Sequence, residues 1–313
     1  MHLRMKRLVA AGAFQTALPR PGGTRRWSAL YTLTAVTLAM GCADPLLPSS
    51  DDPLLSFPVR IGQAWHVATY IPDSANEPVL ALIAADSEPA IAWSPDGSQL
   101  ALVDADKDPH RRTGGVRVLD SQFVLVKARQ LEAADGVSPT SVAWSPDGSK
   151  LAIAGDGGVL LLDHRLETLS RWPADFRAWV SPSGWSEDGE TLAVANRGGG
   201  SVHYLTNELM EIEPPLGLEV LSLVTGVSIA VSGSVLATTL AGAFLVEAAG
   251  SRALTTNRVR HRCPAWSATG SQAAFLVDSN RTTLVLHGSS DPAQLADLAS
   301  DWRLGCPAWR PAQ

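Results

Sequence analysis

Three carboxylates at alternate positions, Asp104, Asp106 and Asp108, have the type and spacing that open a calcium-binding loop. The segment does not complete that loop. Pro109 stands where the sharp turn needs glycine, and Gly115 where a bidentate glutamate belongs. It therefore reads first as a solvated loop, with Arg111 and Arg112 offsetting its charge, and only second as a metal site. An α/β-hydrolase and a zinc protease have no sequence support, because G-x-S-x-G and H-E-x-x-H are both absent. The histidines after residue 42 are scattered (His66, His110, His164, His203, His261 and His287), and no cofactor is expected. Two segments have the composition of contact surfaces instead. Residues 171–179 (RWPADFRAW) put Trp172, Phe176, Arg177 and Trp179 into one connection, the mixture enriched at interface hot spots. Residues 257–262 place Arg258, Arg260 and His261 in a basic patch. The competing readings are a lid for the first segment and a solvated turn for the second.

Composition decides what kind of body carries these residues. The chain has 313 residues, 45% hydrophobic and 18% charged, which suits a globular protein with a core. Residues 1–41 hold six basic side chains and no Asp or Glu, which leaves the rest with 19 basic and 31 acidic residues. An acidic body argues against nucleic acid as a partner, since phosphate binding needs a positive field.

The basic start is an address. Trp27 to Met40 is a run of uncharged, mostly apolar residues after Arg25-Arg26, too short for a membrane span of about 20 residues. It fits the apolar region of a signal peptide. The sequence Leu38-Ala39-Met40-Gly41-Cys42 resembles the lipobox of bacterial lipoproteins, with Ala39 where leucine is more usual. That resemblance implies cleavage before Cys42 and lipidation of its thiol. Ala43 rather than Asp follows, which by the enterobacterial sorting rule implies the outer membrane. The expected organisation is a signal peptide over 1–41, a Pro/Ser/Asp-rich tether over 42–58 and one domain over 59–313.

Internal periodicity sets the architecture of that domain. AIAWSPDGSQLALVD from Ala90, SVAWSPDGSKLAIAG from Ser141, PSGWSEDGETLAVAN from Pro182 and CPAWSATGSQAAFLV from Cys263 align with one another. A degenerate copy starts at Val227 with Val231 at the Trp position, and CPAWRPAQ from Cys306 is cut short. The anchors Trp93, Trp144, Trp185, Val231, Trp266 and Trp309 lie 51, 41, 46, 35 and 43 residues apart. Each unit reads as a short strand, a tight Ser-Pro-Asp-Gly turn, a second strand, then a third and a weaker fourth. Four strands per period of about 40–45 residues is the arithmetic of a β-propeller. The Trp-Ser-Pro-Asp-Gly units resemble the WD40-like repeat of the TolB family, at full strength at Trp93 and Trp144 and partially at Trp185. The resemblance spans residues 59–313 and implies an all-β propeller that meets a protein partner.

The last unit supplies only an inner strand. Val59-Arg60-Ile61, Trp65 to Tyr70 and Val79 to Ala84 have strand composition but no Trp unit. They are expected to complete a closing blade with the C-terminus, giving six blades, with five or seven as alternatives. Cys263 and Cys306 occupy the same position in consecutive units and are the thiols left after lipidation, so a disulfide is expected. The expected function is a non-catalytic, membrane-anchored periplasmic module that binds a protein, with an envelope component among the candidate partners. The rivals are a propeller hydrolase or lyase with a channel site, and a sensor of small ligands or glycans lined by the Trp172 segment.

Overall fold

The structure is a computed structural model; it describes residues 54–70, 79–83, 85, 87–105, 114–198, 200–213, 223–230, 232–247, 250–255, 259–278, 282–287, 293–294 and 303–311. The signal peptide, Cys42, Asp106, Asp108, Val231 and Arg258 lie outside them.

The sequence alternates short apolar runs with turn residues, and strands form wherever it does. The chain opens with β1 (Leu54–Ile61), β2 (Ala64–Tyr70) and β3 (Val79–Ile83). A four-stranded meander follows: β4 (Ala90–Trp93), β5 (Gln99–Ala105), β6 (Gly114–Asp120) and β7 (Leu125–Leu131). A six-stranded sheet holds β8 (Ser138–Trp144), β9 (Lys150–Asp163), β10 (Thr168–Trp179), β11 (Thr191–Asn196), β12 (Val202–Thr206) and β13 (Glu211–Ile212). Two more meanders are β14 (Val224–Ile229) to β17 (Gly250–Ala253), and β18 (Arg260–Trp266) to β21 (Ala293–Gln294). Within them lie β15 (Val235–Thr239), β16 (Ala243–Glu247), β19 (Ala273–Asp278) and β20 (Thr282–His287). The chain closes with β22 (Arg303–Leu304) and β23 (Ala308–Arg310).

Five sheets result, where six blades were expected. The difference lies at β10, which passes through two repeat units. Its start pairs with β9 while Ala178 and Trp179 pair with β11, across a register break between Pro173 and Arg177. The units of Trp144 and Trp185 therefore share one sheet, and residues 171–179, read as a loop, are strand.

Both chain ends build the closing sheet. Leu55 pairs with Trp309 and Ser56 with Ala308, while Val59 pairs with Leu304. β1 thus begins at Leu54, inside the segment assigned to the tether. Leu54, Leu55 and Phe57 are buried, so the folded body starts earlier than residue 59. The first strands of the sheets touch in succession, β23 with β4, β4 with β8, β14 with β18 and β18 with β23, while β11 meets β14. The sheets therefore form a closed ring with the first strands innermost, which removes exposed inner edges.

The turns explain why this sequence repeats. The Asp96 carboxylate accepts from the Ser94 hydroxyl (2.5 Å) and the Ser98 amide (3.0 Å), while Gly97 takes φ 66°. Asp147 and Gly148 repeat the arrangement. Each indole fills the space between sheets, where large apolar area is buried. Trp144 Nε1 donates to the Ala92 carbonyl (3.2 Å), and Trp309 Nε1 to the Ala265 carbonyl (3.1 Å). These are equivalent positions on neighbouring units. Trp93 Nε1 donates instead to the Ser56 hydroxyl (3.0 Å) of the closing sheet.

Candidate partner-binding face

In each sheet, the connection between second and third strands lies at the same end as the connection into the first strand. That end of the ring, the upper face, gathers charged and polar residues from four of the five sheets. Arg60 and Gln63 flank the β1–β2 turn, Glu88 precedes β4, and Asp156 sits mid-β9. Arg177 lies near the end of β10, Arg197 follows β11, Arg260 and Arg262 open β18, and Arg303 opens β22. The opposite end carries the Ser-x-Asp-Gly turns and is acidic. A cleft of about 310 Å³ there is lined by Asp147, Glu187, Asp188 and Glu190 among others.

The β10 strand presents the aromatic part of the upper face. Its side chains alternate, so Trp172 and Phe176 turn towards the sheet and are half-buried, while Arg171, Pro173, Asp175 and Arg177 are exposed. Trp172 and Phe176 meet edge to face (5.7 Å), and His203 of β12 stacks on Phe176 (4.9 Å). His203 Nδ1 donates to Glu211 (2.6 Å), and its Nε2 lies 3.1 Å from the Ser201 hydroxyl. Arg177 forms a two-point contact with Asp156 (2.9 and 3.0 Å), which raises its pKa.

Two sequence-assigned contact residues are not on the surface. Trp179 is 1% exposed and packs in the central core, its ring so close to Gly226 that a β-carbon there would stand 2.8 Å from it. His261 is 0% exposed; its Nδ1 donates to the Val259 carbonyl (2.7 Å) and its Nε2 accepts from Thr255 (3.0 Å). Burial pulls its pKa below the usual histidine value. Both side chains alternate inward on strands that the sequence reading treated as loops. Arg260 is exposed as expected. Asp104 lies in β5 and ion-pairs with Arg117 (3.4 Å).

At the centre of the face, Cys263 and Cys306 form a disulfide with their Cα atoms 5.2 Å apart, joining β18 to the closing segment. Cys263 takes φ 58°, at a register break in β18 between Arg262 and Ala265. Arg197, which sequence reasoning missed, reaches from the end of β11 to the two sulfurs. Its Nη2 lies 3.4 Å from Cys263 Sγ and 3.9 Å from Cys306 Sγ, and its guanidinium sits 5.2 Å over the Trp179 ring. Burial and the neighbouring Arg262 lower its pKa to about 10, so it stays charged at neutral pH. The only signal for it in the sequence was its place in Asn196-Arg197-Gly198, at the end of a repeat strand. Below the disulfide the inner strands are sewn together by hydroxyls. Ser181 donates to the Pro264 carbonyl (2.6 Å), Ser183 and Ser228 lie 2.7 Å apart, and Thr225 donates to the His261 carbonyl.

A closed ring of antiparallel sheets with first strands innermost is a β-propeller, and all-β propeller is the class to which this fold belongs. The chain matches no protein-family model and no curated protein. It is similar in fold to TolB from Acinetobacter baumannii (TM-score 0.62, 14% identity, covering 84% of this chain and 68% of that one). It is also similar to a chain in a crystal structure of a nidogen/laminin complex (0.61, 11%, 83% and 99%). A third is a protein of unknown function from Bacteroides caccae (0.58, 12%, 83% and 99%).

Proposed function

We propose that this propeller is a non-catalytic binding module. It is lipid-anchored through Cys42 in the periplasm, with the outer membrane preferred, and its upper face engages a protein partner, for which an envelope component is the first candidate. The supporting observation is the aromatic pad of Trp172, Phe176 and His203, flanked by the exposed arginines Arg171 and Arg177 on one strand. Half-buried aromatics beside guanidiniums are the side chains that dominate interface energetics. A chain of the same fold in a nidogen/laminin complex fits the same use.

The test is a pull-down from crosslinked envelopes with wild type, Trp172→Ala and Phe176→Ala. Loss of one specific partner in both variants, with unchanged circular dichroism, supports the reading. Full recovery in both removes this pad as the interface. For the anchor, Cys42→Ala should abolish metabolic labelling by palmitate and release the protein from membranes. Labelling that persists would place the lipid elsewhere.

A second reading, a hydrolytic propeller, rests on the hydrogen-bonded chain Ser201–His203–Glu211, whose order is that of a nucleophile, base and orienting carboxylate. Hydrolysis of a chromogenic ester that disappears in Ser201→Ala would favour it, and equal turnover by both proteins would discard it.

A further inference from the structure

Three guanidiniums on the upper face lack the counter-charge that their neighbours have. Arg177 is forked onto Asp156, and the Arg262 Nε is shared between the two carboxylate oxygens of Asp278 at 3.0 and 3.2 Å. Among the described residues, Arg60, Arg197 and Arg303 have no carboxylate within 4 Å. Arg60 and Arg303 stand directly opposite each other where β1 pairs with β22, a juxtaposition of like charges that opposes strand pairing. They line a cavity of about 180 Å³ with Gly62 and Gln63. The Arg60 Nη2 donates to the Gln63 side-chain oxygen (2.7 Å), but its Nε is buried with no acceptor. The Arg197 Nε is buried and unmatched in the same way, and its Nη2 faces only the two weakly accepting sulfurs. Buried donors and charges left unpaired are costly, and natural proteins retain few of them.

These groups belong to one arc. Glu88 feels the charges of Arg262, Arg197 and Arg303 together, so the disulfide region and the Arg60–Arg303 cavity share a neighbourhood. Glu88 itself is half exposed and only 3.9 Å from Arg262, the guanidinium that Asp278 already holds. The arc is therefore cationic on a body that is otherwise strongly acidic.

We propose that the arc of Arg60, Arg303 and Arg197 binds an acidic peptide segment of the protein partner, two or more carboxylates spaced along an extended chain. The inference deepens the binding reading and rests on it. Separate forks, each matched to a planar carboxylate, suit this occupant, because Arg177 on the same face already holds Asp156 in that geometry.

The experiment titrates the full mature chain with blocked hexaglutamate, blocked hexalysine and inorganic phosphate, by calorimetry at low and moderate salt. Hexaglutamate should bind, weaken as salt rises, and weaken at least tenfold in the doubly substituted Arg60→Gln/Arg303→Gln protein, whose changes lie at the surface. Arg197→Gln should weaken it further, and Arg197→Lys should do so while keeping the charge. No hexaglutamate binding, equal binding in the double variant, or binding of phosphate at the same residues with similar affinity would each overturn the proposal. The partner pull-down above is a separate readout. A partner retained by Arg60→Gln/Arg303→Gln but lost in Trp172→Ala would refute the acidic segment and leave the binding face intact.

Discussion

At the scale of single residues, the repeat is held by two side chains that do different work. The indole of Trp144 is buried between two sheets and tied to the Ala92 carbonyl, so its truncation leaves a large cavity and an unsatisfied acceptor. Trp144→Ala should destabilise the protein by about 3–5 kcal/mol in denaturant unfolding. A midpoint that does not move would mean that the indole is not packed there. Asp147 works at the turn. Hydrogen bonds from Ser145 and Ser149 pull its carboxyl down to about 2, below the usual aspartate value. A carboxyl depressed on folding stabilises above its unfolded pKa of about 3.9 and loses that contribution as pH falls through the folded value. Asp147→Asn should therefore lower stability at pH 7 by about 0.5–1 kcal/mol, discounted for exposure, and by almost nothing at pH 2. A stability difference between the two proteins that stays constant from pH 7 to 2 would contradict this origin.

At the scale of strands and sheets, the sequence was legible where chemistry repeats and opaque where it does not. Trp-Ser-Pro-Asp-Gly announces a strand, a turn and a second strand because each residue type answers a specific backbone demand. That N-terminal strands would complete the C-terminal blade was readable because a lone inner strand needs neighbours, but Trp309 itself pairs with Leu55, ahead of the segment 59–84. The connection 171–179 was misread because Pro173 interrupts its strand pattern, whereas the structure absorbs it at a register break. The third-to-fourth strand turns were also missed. Phe123, Leu166 and Leu209 all take positive φ (62–67°), a conformation that favours glycine. Burial of Leu166 and Leu209 offsets that strain, while Asp120, Asp163 and Thr206 cap the turns. Arg197 carried no motif, and only the ring geometry brings it to the disulfide. The disulfide encloses a 43-residue separation. The Cys263→Ser/Cys306→Ser protein should lose about 4 kcal/mol in the chain-entropy account. An unchanged unfolding midpoint under oxidising conditions would show that the bond is not formed. Deleting residues 303–313 should expose the β1 edge and convert the protein to aggregates, detectable by size-exclusion chromatography. A monomer with the full-length melting temperature would show that closure by both ends is dispensable.

At the scale of the whole molecule, the propeller separates two chemistries. Its lower end presents repeated acidic turns, which favour solubility. Its upper end combines the aromatic pad, the disulfide and the arginine arc. The binding reading requires that only the upper end meet a partner. Photo-crosslinking in living cells tests this most directly, with p-benzoylphenylalanine in place of Pro173 on the upper face and, separately, in place of Pro146 on the lower face. The account predicts a discrete crosslinked protein from position 173, lost on adding Trp172→Ala, and none from position 146. The same adduct from position 146, or none from position 173 in cells that carry the protein at normal levels, would contradict it.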